Sequence, residues 1–428
     1  MTFLKRIIKN NLINIFFVIL NEVKNLSHSV KNRFFVALRM TMICIFFLLL
    51  FPTIAFCLTI ERVNVRISAD AELNSVLFSG AYGKYELWAD GKIINLDIPD
   101  DIFQFSVSGD SIEVKTLEKY LGKYSGILLK GINPQNNFKL KAVLPDKQAK
   151  PYDDDLIISV ANKLLLLINY VTIESYAAGV VYAEAGGGAT PEYYKVQAVL
   201  CRTYTLSHLR RHELEGFQLC DQVHCQAYKG KIIKPEIINA VAQSKGLVVV
   251  DADLNLITAA YHSNCGGQTI NSEDVWSLPT TYLKSVKDSF CSTQPNAVWQ
   301  KKISLKEWQD YIDLKNKLLS ADTIRTDELI NYQQNKGNRE KYYVYKSVKI
   351  PLKAIREDWH LKSAYFTIQQ QNNEIIFSGK GYGHGVGMCQ EGAMKMTRYG
   401  YSYKDIIHFY YKDVHIVDLS VLDFFRQE

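Results

Sequence analysis

Short runs of alternating hydrophobic and polar residues predict β-strands in the part of the chain that follows residue 57. Two such runs are 63–67 and 85–88, and turn-forming residues at 89–91 and 108–110 separate runs of the same kind. The spacing of hydrophobic residues becomes helical only later in the chain. Residues 58–155 are therefore predicted to form a small β-rich accessory domain.

Helix signals begin beyond residue 160. A helix is predicted to start at Thr190, Pro191 and Glu192, because threonine can cap the first turn, proline loses no needed hydrogen bond there and an acid suits the helix dipole. The helical spacing predicts that this helix continues to Gly216. A second helix is predicted over 236–246.

A hairpin is predicted directly after the second helix. Its strands are expected at 247–250 and 256–261, followed later by a short helix at 390–397 and a final strand at 415–419. A helix followed by a hairpin favours an α+β fold over an alternating parallel sheet. We therefore predict an α+β protein, in which the β-rich domain precedes a larger mixed domain of helices and strands over 160–428.

Positive charge is concentrated at the N-terminus. The 428 residues carry a net charge of +6, and residues 1–57, with seven Lys or Arg and one acid, account for all of it. The rest of the chain has equal numbers of bases and acids. It therefore lacks the basic excess typical of nucleic-acid-binding proteins, and no nucleic-acid partner is predicted.

An apolar stretch at 40–57 follows basic residues and ends with a proline and small side chains, which is the order found in signal peptides. The alternative is a membrane anchor over 34–57, but Arg39 interrupts it and a span needs about 20 apolar residues. The protein is therefore predicted to be exported to the periplasm or cell surface, with membrane attachment only through an uncleaved N-terminal segment. Met40 is a candidate for the true start.

Two charged residues stand in predicted apolar surroundings. Glu184 follows the apolar run 180–183 and precedes three glycines, and a carboxyl held against apolar neighbours has a raised pKa, which suits a general acid. A solvated carboxylate at a helix end is the alternative. Arg202 lies on the predicted buried side of the next helix, where either a structural ion pair or a bound ligand would satisfy it.

The six cysteines beyond residue 57 are too few for a disulfide scaffold. Cys265 and Cys291 flank one folded segment and are predicted to form a disulfide in an oxidising compartment, with buried thiols as the alternative. A denser group of thiols and imidazoles consists of His208, His212, Cys220, His224 and Cys225. Its spacing differs from that of a standard zinc finger, and it agrees equally with a zinc ion or with a disulfide between its two cysteines.

Glycine alternates with other residues over 379–387, with His384 in the centre of the run. Such a run permits a tight loop whose backbone can approach a ligand. A phosphate-binding loop is excluded, because no Gly-Lys is followed by Ser or Thr and no G-x-G-x-x-G occurs in the run. The glycines therefore predict a shaped loop around His384.

The segments ESYAAGVVYAE, QAVLCRTYTL, GFQLCDQVHCQAY, YHSNCGGQT and GYGHGVGMCQEGA occur in this order. Together they resemble the SpoIID/LytB family over about 165–417. The resemblance implies a protein that acts on peptidoglycan. The sporulation members are lytic transglycosylases that prefer glycan strands without stem peptides, and other members are named as enhancers of a cell-wall amidase.

The resemblance also implies roles for individual residues. The catalytic glutamate falls on Glu184. The helix arginine falls on Arg202 and the motif histidines on His262 and His384, and these three residues would bind the glycan by positioning it or stabilising developing charge. Gln390, directly after the last glycine motif, is a further candidate for substrate contact. Some members bind zinc through a His, Cys, His, Cys set, which this chain matches with His212, Cys220, His224 and Cys225.

The chain departs from the family pattern at two places. Ala185 and three glycines follow the glutamate where a proline is usual, and Cys389 replaces the serine common after GVGM. The first departure changes the loop beside Glu184, and the second adds a thiol near the predicted site.

The predicted activity is therefore that of a peptidoglycan lytic transglycosylase. Glu184 would protonate the oxygen between N-acetylmuramic acid and N-acetylglucosamine and then act as the base, giving a 1,6-anhydro product. A lone acid suits this reaction because hydrolysis by two carboxylates needs a second one. Four protein ligands would make the zinc structural. The alternatives are a non-catalytic binder that enhances an amidase, and a zinc amidase that uses the His/Cys group.

Overall fold

The computed structural model describes residues 61–94, 102–276, 278–319, 331–334, 339–345 and 348–421. The predicted signal or anchor region lies outside these residues. Within them, we find no helix with the length and apolar character needed to cross a membrane.

Strands dominate the first third of the described chain and recur later in a four-stranded sheet and in short pairs. They are β1 Arg62–Arg66, β2 Ser75–Tyr82, β3 Tyr85–Ala89, β4 Lys92–Ile94, β5 Ile102–Ser108, β6 Ser111–Lys115, β7 Tyr120–Tyr124, β8 Gly126–Gly131, β9 Asn137–Leu144, β10 Lys150–Asp153, β11 Asp155–Ala161, β12 Leu164–Thr172, β13 Leu219–Cys220, β14 Leu247–Val250, β15 Tyr261–His262, β16 Val298–Ser304, β17 Asn331–Tyr332, β18 Tyr342–Tyr345, β19 Val348–Pro351, β20 Phe366–Gln371, β21 Glu374–Lys380, β22 Met388–Cys389 and β23 His415–Asp418.

Helices occur only after β12 in the described residues. They are α1 Ile173–Ala185, α2 Pro191–Ser207, α3 Pro235–Gln243, α4 Leu305–Leu319, α5 Leu352–Asp358, α6 Gln390–Arg398 and α7 Tyr403–Tyr410. Helices and several sheets in one chain, with a β-rich N-terminal part, confirm the predicted α+β class.

Two large sheets build the β-rich part. Their strand orders are β13-β1-β12-β11-β8-β3-β4 and β10-β9-β2-β5-β6-β7. Every second side chain of β1 and of the first half of β5 is buried, so that Val63, Val65 and Phe105 enter one hydrophobic core. The domain boundary predicted at 155–160 falls within β11, which pairs with β8 on one side and β12 on the other. The sheet therefore continues across that boundary.

Local capping explains where the site helices begin. The side chain of Thr190 accepts a hydrogen bond from the backbone N–H of Tyr193, and Pro191 occupies the first turn of α2, as predicted. The same helix ends at Ser207, so the predicted end at Gly216 is wrong. The Ser207 hydroxyl donates to the carbonyl of Tyr204, and such side-chain bonds compete with the helical ladder.

The predicted hairpin is also only partly formed. β14 pairs antiparallel with β23, near the C-terminus, and its own continuation contributes one isolated bridge between Val250 and Leu256. The strand predicted at 256–261 is therefore wrong, apart from this bridge at Leu256 and from Tyr261, the first residue of β15. β15 pairs parallel with β22, which brings His262 opposite Cys389.

Candidate active site

Glu184 lies in the last turn of α1 and faces a groove with a volume of about 640 Å³. The groove is also lined by His262 on β15, His384 in the glycine-rich loop and Gln390 at the start of α6. These residues come from three distant parts of the sequence. The structure therefore brings Glu184, both motif histidines and Gln390 to one surface.

The loop that departs from the family pattern is held by the neighbouring helix. Gly186 ends α1 with a φ of 63°, and its N–H donates to the carbonyl of Tyr182. The Tyr194 hydroxyl donates to the Gly186 carbonyl at 3.3 Å and accepts from the N–H of Ala189 at 3.1 Å. Tyr194 of α2 thus fixes both ends of the glycine loop and, with it, the end of α1 that carries Glu184.

The carboxyl of Glu184 is half-buried and weakly held. Burial raises its pKa above the usual value for glutamate, while hydrogen bonds from Gln390, the backbone of Ala227 and the hydroxyl of Tyr261 partly offset that rise. The amide Nε2 of Gln390 lies 3.4 Å from Oε2 of Glu184. A carboxyl with a raised pKa is more often protonated near neutral pH, as a general acid requires.

His384 is fixed by two backbone hydrogen bonds. Its Nδ1 accepts from the N–H of Val386 at 3.1 Å, so Nε2 carries the proton and donates to the carbonyl of Tyr261 at 3.0 Å. Burial lowers the pKa of His384 to about 4, and the nearby Arg356 guanidinium adds to the shift. His384 is therefore neutral near pH 7 and has no free nitrogen for proton transfer.

His262 keeps one nitrogen available. Its Nδ1 donates to the carbonyl of Val386 at 3.1 Å, whereas the buried Nε2 has no hydrogen-bond partner in the described parts of the chain. Burial holds the pKa of His262 well below its usual value, so the ring is neutral and Nε2 is an acceptor. A buried acceptor without a partner is costly unless a ligand or water satisfies it.

The glycine-rich loop has the shape that the sequence predicts. The φ angles of its glycines are positive at Gly381 (78°), Gly383 (115°), Gly385 (86°) and Gly387 (69°). Residues with a side chain rarely adopt positive φ angles, so glycine is required at these turns. The loop holds His384 between two rings, with centroid distances of 5.2 Å to Trp276 and 5.4 Å to His262.

Arg202 does not line the groove. Its side chain is fully buried, and its Nε and Nη2 donate to the two carboxylate oxygens of Glu174 at 3.0 and 2.6 Å. Its Nη1 donates to the carbonyl of Leu247 at 2.7 Å. The structure thus gives Arg202 an ion pair that links α1, α2 and β14, which was the structural alternative, and places it away from the substrate-binding position that the resemblance implies.

Four of the predicted metal ligands converge beside the groove: His212, Cys220, His224 and Cys225. Their ligand atoms lie within 4.8 Å of one another, and both cysteines are free thiols. The Sγ atom of Cys225 lies 3.4 Å from Nε2 of His212 and 3.8 Å from Nδ1 of His224. Two sulfur and two nitrogen donors form a set that zinc favours, so this group could hold a metal ion.

Charged residues next to the His/Cys group favour the histidine forms that bind metals. Glu215 accepts a hydrogen bond from Nδ1 of His212 at 2.5 Å, which leaves Nε2 facing the cysteines. Arg211 lies 3.2 Å from Nε2 of His224 and lowers the pKa of that ring, favouring the neutral form that binds metals. A metal ion bound to Nδ1 of His224 would leave the proton on Nε2 of that ring. Nε2 could then no longer accept a hydrogen bond from Arg211, so Arg211 would have to move away. His208 instead bonds the Tyr204 carbonyl at 2.9 Å.

The groove also contains residues that the sequence analysis did not single out. Trp276 and Tyr382 provide aromatic surface, and Arg211 and Arg356 provide positive charge. A second depression of about 590 Å³ shares Trp276, Arg356 and His384 with the groove and extends it. Tyr382 lies two residues before His384 in the glycine-rich loop, whereas Arg211, Trp276 and Arg356 lie outside the quoted motifs.

The chain is similar in sequence to several known proteins. A stage II sporulation protein D from Bacillus amyloliquefaciens is 30% identical over 274 residues, which cover 60% of this chain and 77% of that protein. The chain belongs to the SpoIID/LytB family. The family profile described as "Stage II sporulation protein" matches residues 161–250, which include Glu184 and the four His/Cys residues.

Two further relatives show the range of this family. An uncharacterised protein of Brachyspira hyodysenteriae is 29% identical over 301 residues, 69% of this chain and 78% of that protein. An amidase enhancer of Bacillus subtilis is 30% identical over 285 residues, 54% of this chain but only 39% of that protein. The chain is thus similar to proteins that carry different names.

Proposed function

We propose that this SpoIID/LytB protein is an exported lytic transglycosylase that cleaves peptidoglycan glycan strands with Glu184 as its single acid and base. The observation that carries the proposal is that Glu184, with a raised pKa, is the only carboxylate among the described residues that line the groove itself, whereas Asp274, Glu340 and Glu357 line the adjoining depression. The names of the sporulation and amidase-enhancer relatives support a role in the cell wall.

A single carboxyl suits cleavage without hydrolysis. Protonated Glu184 would give its proton to the glycosidic oxygen between N-acetylmuramic acid and N-acetylglucosamine. The resulting carboxylate would then accept the proton of the muramic 6-hydroxyl as that oxygen bonds to C1, forming a 1,6-anhydro ring. Two-carboxylate hydrolysis would need a second acid on the groove.

The other groove residues would position the sugar. The unpaired Nε2 of His262 could accept a hydrogen bond from a sugar hydroxyl or amide, and Gln390 contacts Glu184 directly. Trp276 and Tyr382 offer ring faces against which a sugar can pack. His384, with both nitrogens bonded to backbone, would hold the loop and contact substrate through its ring alone.

The positive charges indicate which glycan the groove prefers. N-acetylmuramic acid carries a free lactyl carboxylate only where the stem peptide has been removed. Arg356 lines the groove, and its buried Nε has no hydrogen-bond partner in the described ranges. A carboxylate is the group that a guanidinium binds best, so we favour strands without stem peptides as substrate.

The His212, Cys220, His224 and Cys225 group would hold a structural zinc ion. When bound, zinc would tie the turn after α2 to the loop after β13, and four protein ligands leave no position for a reacting water. His224 and Cys225 also line the groove, so the metal would stiffen one of its edges. This arrangement favours a structural role over a zinc amidase.

The amidase-enhancer relative keeps a second function open. In that case the groove would bind glycan without cleaving it, and a cell-wall amidase would be the partner. In either case we propose export through residues 1–57, with attachment to the membrane only where 34–57 is not removed.

Digestion of peptide-free glycan strands tests the proposal. The purified protein is incubated with the strands, and mass spectrometry of the fragments should show 1,6-anhydro-muramic ends. Reducing ends would mean hydrolysis, and release of stem peptides from intact wall would mean an amidase. Retention of the protein on glycan with no cleavage of any wall preparation would instead favour the enhancer function.

A further inference from the structure

A second group of side chains that could bind a metal ion lies apart from the first. It consists of Cys265, Asp288, Cys291 and Cys389, all buried, with ligand atoms within 4.8 Å of one another. The Sγ atom of Cys265 lies 3.4 Å from Sγ of Cys291 and 3.3 Å from Oδ2 of Asp288. These residues come from three separate segments, so the fold brings together donors that no local motif unites.

Backbone N–H groups point at the sulfur atoms of this group. Gly267 donates to Sγ of Cys291 at 3.2 Å, while Cys265 and Gly392 donate to Sγ of Cys389 at 3.2 and 3.4 Å. Peptide N–H groups that point at a sulfur atom are a common outer contact of metal-bound cysteines. The Tyr410 hydroxyl donates to Oδ2 of Asp288 at 2.9 Å, an outer contact of the kind that orients ligating carboxylates.

No cation is bonded to these four side chains in the described parts of the chain. No Lys or Arg side chain there forms a hydrogen bond or ion pair with any of them, and the buried guanidinium of Arg339 donates instead to the backbone carbonyl of Cys265. Three buried sulfur atoms and a carboxyl that lie this close together form a donor set that zinc favours, and a zinc ion that displaces their protons would contact all four side chains at once.

We propose that Cys265, Asp288, Cys291 and Cys389 bind a second zinc ion, through three sulfur atoms and one oxygen. Zinc takes four such ligands in a tetrahedron, and sulfurs at about 2.3 Å from the ion lie about 3.8 Å apart, close to the separations present. Because protein side chains fill all four positions, the ion is structural. The binding itself does not depend on the proposed cleavage of glycan.

A disulfide between Cys265 and Cys291, the pairing predicted from sequence, accounts for less of this arrangement. The two sulfurs do approach each other, but both cysteines are free in the structure. A disulfide would use two of the four donors and leave Cys389 and Asp288 buried beside it. A metal ion uses all four.

The second zinc would fix the floor of the groove. Cys389 is the N-cap of α6 and precedes Gln390, the residue that contacts Glu184. Cys265 follows β15, which carries His262 and pairs with β22. The ion would therefore join the two segments that hold His262 and Gln390, and this consequence rests on the proposed function.

Metal analysis of the purified full chain tests the site. We expect two zinc ions per wild-type chain, one in Cys220→Ser/Cys225→Ser, one in Cys265→Ser/Cys291→Ser, and none in the fourfold variant. Cobalt(II) placed in the first variant should give tetrahedral absorption with sulfur charge-transfer bands from three thiolates. In the second variant, the bands should correspond to two thiolates.

X-ray absorption at the zinc edge of the wild type covers the case in which a variant does not fold. Two sulfurs at one site and three at the other average to about 2.5 sulfur ligands per zinc. A single zinc with two sulfurs would overturn the proposal, as would a folded Cys220→Ser/Cys225→Ser variant without zinc. Peptide mapping without reductant that finds Cys265 linked to Cys291 would overturn it as well. None of these readouts depends on glycan cleavage.

Discussion

The two walls of the groove hold their ionisable side chains in different ways. On one wall, Glu184 has a raised pKa, and its hydrogen bond from the side chain of Gln390 is long, at 3.4 Å. On the other, His384 has a lowered pKa and bonds to backbone through both nitrogens. The Glu184 wall can therefore exchange a proton, whereas the His384 wall can only position a ligand.

Glu184→Gln should have the largest effect on turnover. If Glu184 is the sole acid and base, the amide should bind glycan but lower the cleavage rate by about 10²- to 10⁴-fold. The measurement is the release of anhydro-muramic ends from peptide-free strands. Glu236→Gln, which changes an exposed carboxylate on α3 away from the groove, is the control and should cleave as the wild type does.

Stability gives an independent measure of the same substitution. Because the folded-state pKa of Glu184 is raised, its protonated form favours folding, and this contribution is lost as the pH rises through that pKa. Glu184→Gln should therefore unfold at a higher temperature than the wild type at pH 8 and at a similar temperature at pH 4. Full activity in this variant, with loss in Asp274→Asn of the adjoining depression, would mean that the acid is assigned wrongly.

His384→Ala should have a smaller effect, because it changes position and not chemistry. Removing the ring frees the carbonyl of Tyr261 and the N–H of Val386, so the loop should shift. Misplacement by about 1 Å costs up to about 100-fold in rate. The pH dependence of the remaining activity should match the wild type. A changed pH dependence would show that His384 takes part in proton transfer and would remove the difference between the walls.

Sequence alone predicted those parts of the site that depend on near neighbours. The cap at Thr190 and Pro191 was confirmed because its hydrogen bonds join residues within one turn. The partner of Arg202 could not be predicted, because Glu174 lies 28 residues earlier on another helix. The hydrogen bond from His384 to the carbonyl of Tyr261 could not be predicted either, because the acceptor is a backbone atom 123 residues away that no side chain identifies in the sequence.

The limits of helices and strands were harder to predict than the elements themselves. The strand alternation of the β-rich part was visible in sequence because one face of each strand is buried. The end of α2 at Ser207 was missed, because hydrophobic spacing continues while side chains of Ser207 and His208 take the Tyr204 carbonyl. Whole elements were thus predictable, and their limits depended on polar contacts.

Arg356→Met should raise KM about tenfold on peptide-free strands and leave kcat nearly unchanged. One charge-assisted hydrogen bond to a lactyl carboxylate contributes about 1.5 kcal/mol, the lower end of the range, because the arginine is only half-buried. Arg356→Lys should recover part of the loss. On strands whose lactyl groups still carry stem peptides, Arg356→Met should have the same KM as the wild type, because no free carboxylate is present for the arginine to bind. An equal increase on both substrates would contradict recognition of the carboxylate.

Gln390→Ala should give the smallest effect, a shift in the pH dependence of cleavage. The first step needs protonated Glu184, so the rate should fall as the pH rises through its raised pKa. The bond from Gln390 lowers that pKa, so its loss should raise the pKa further and move the fall in rate to higher pH. The measurement is kcat between pH 4 and 9. His384, with a pKa of about 4, is already neutral over most of this range. A change in the pH at which kcat decreases can therefore be assigned to Glu184. A shift to lower pH would show that another group supplies the proton.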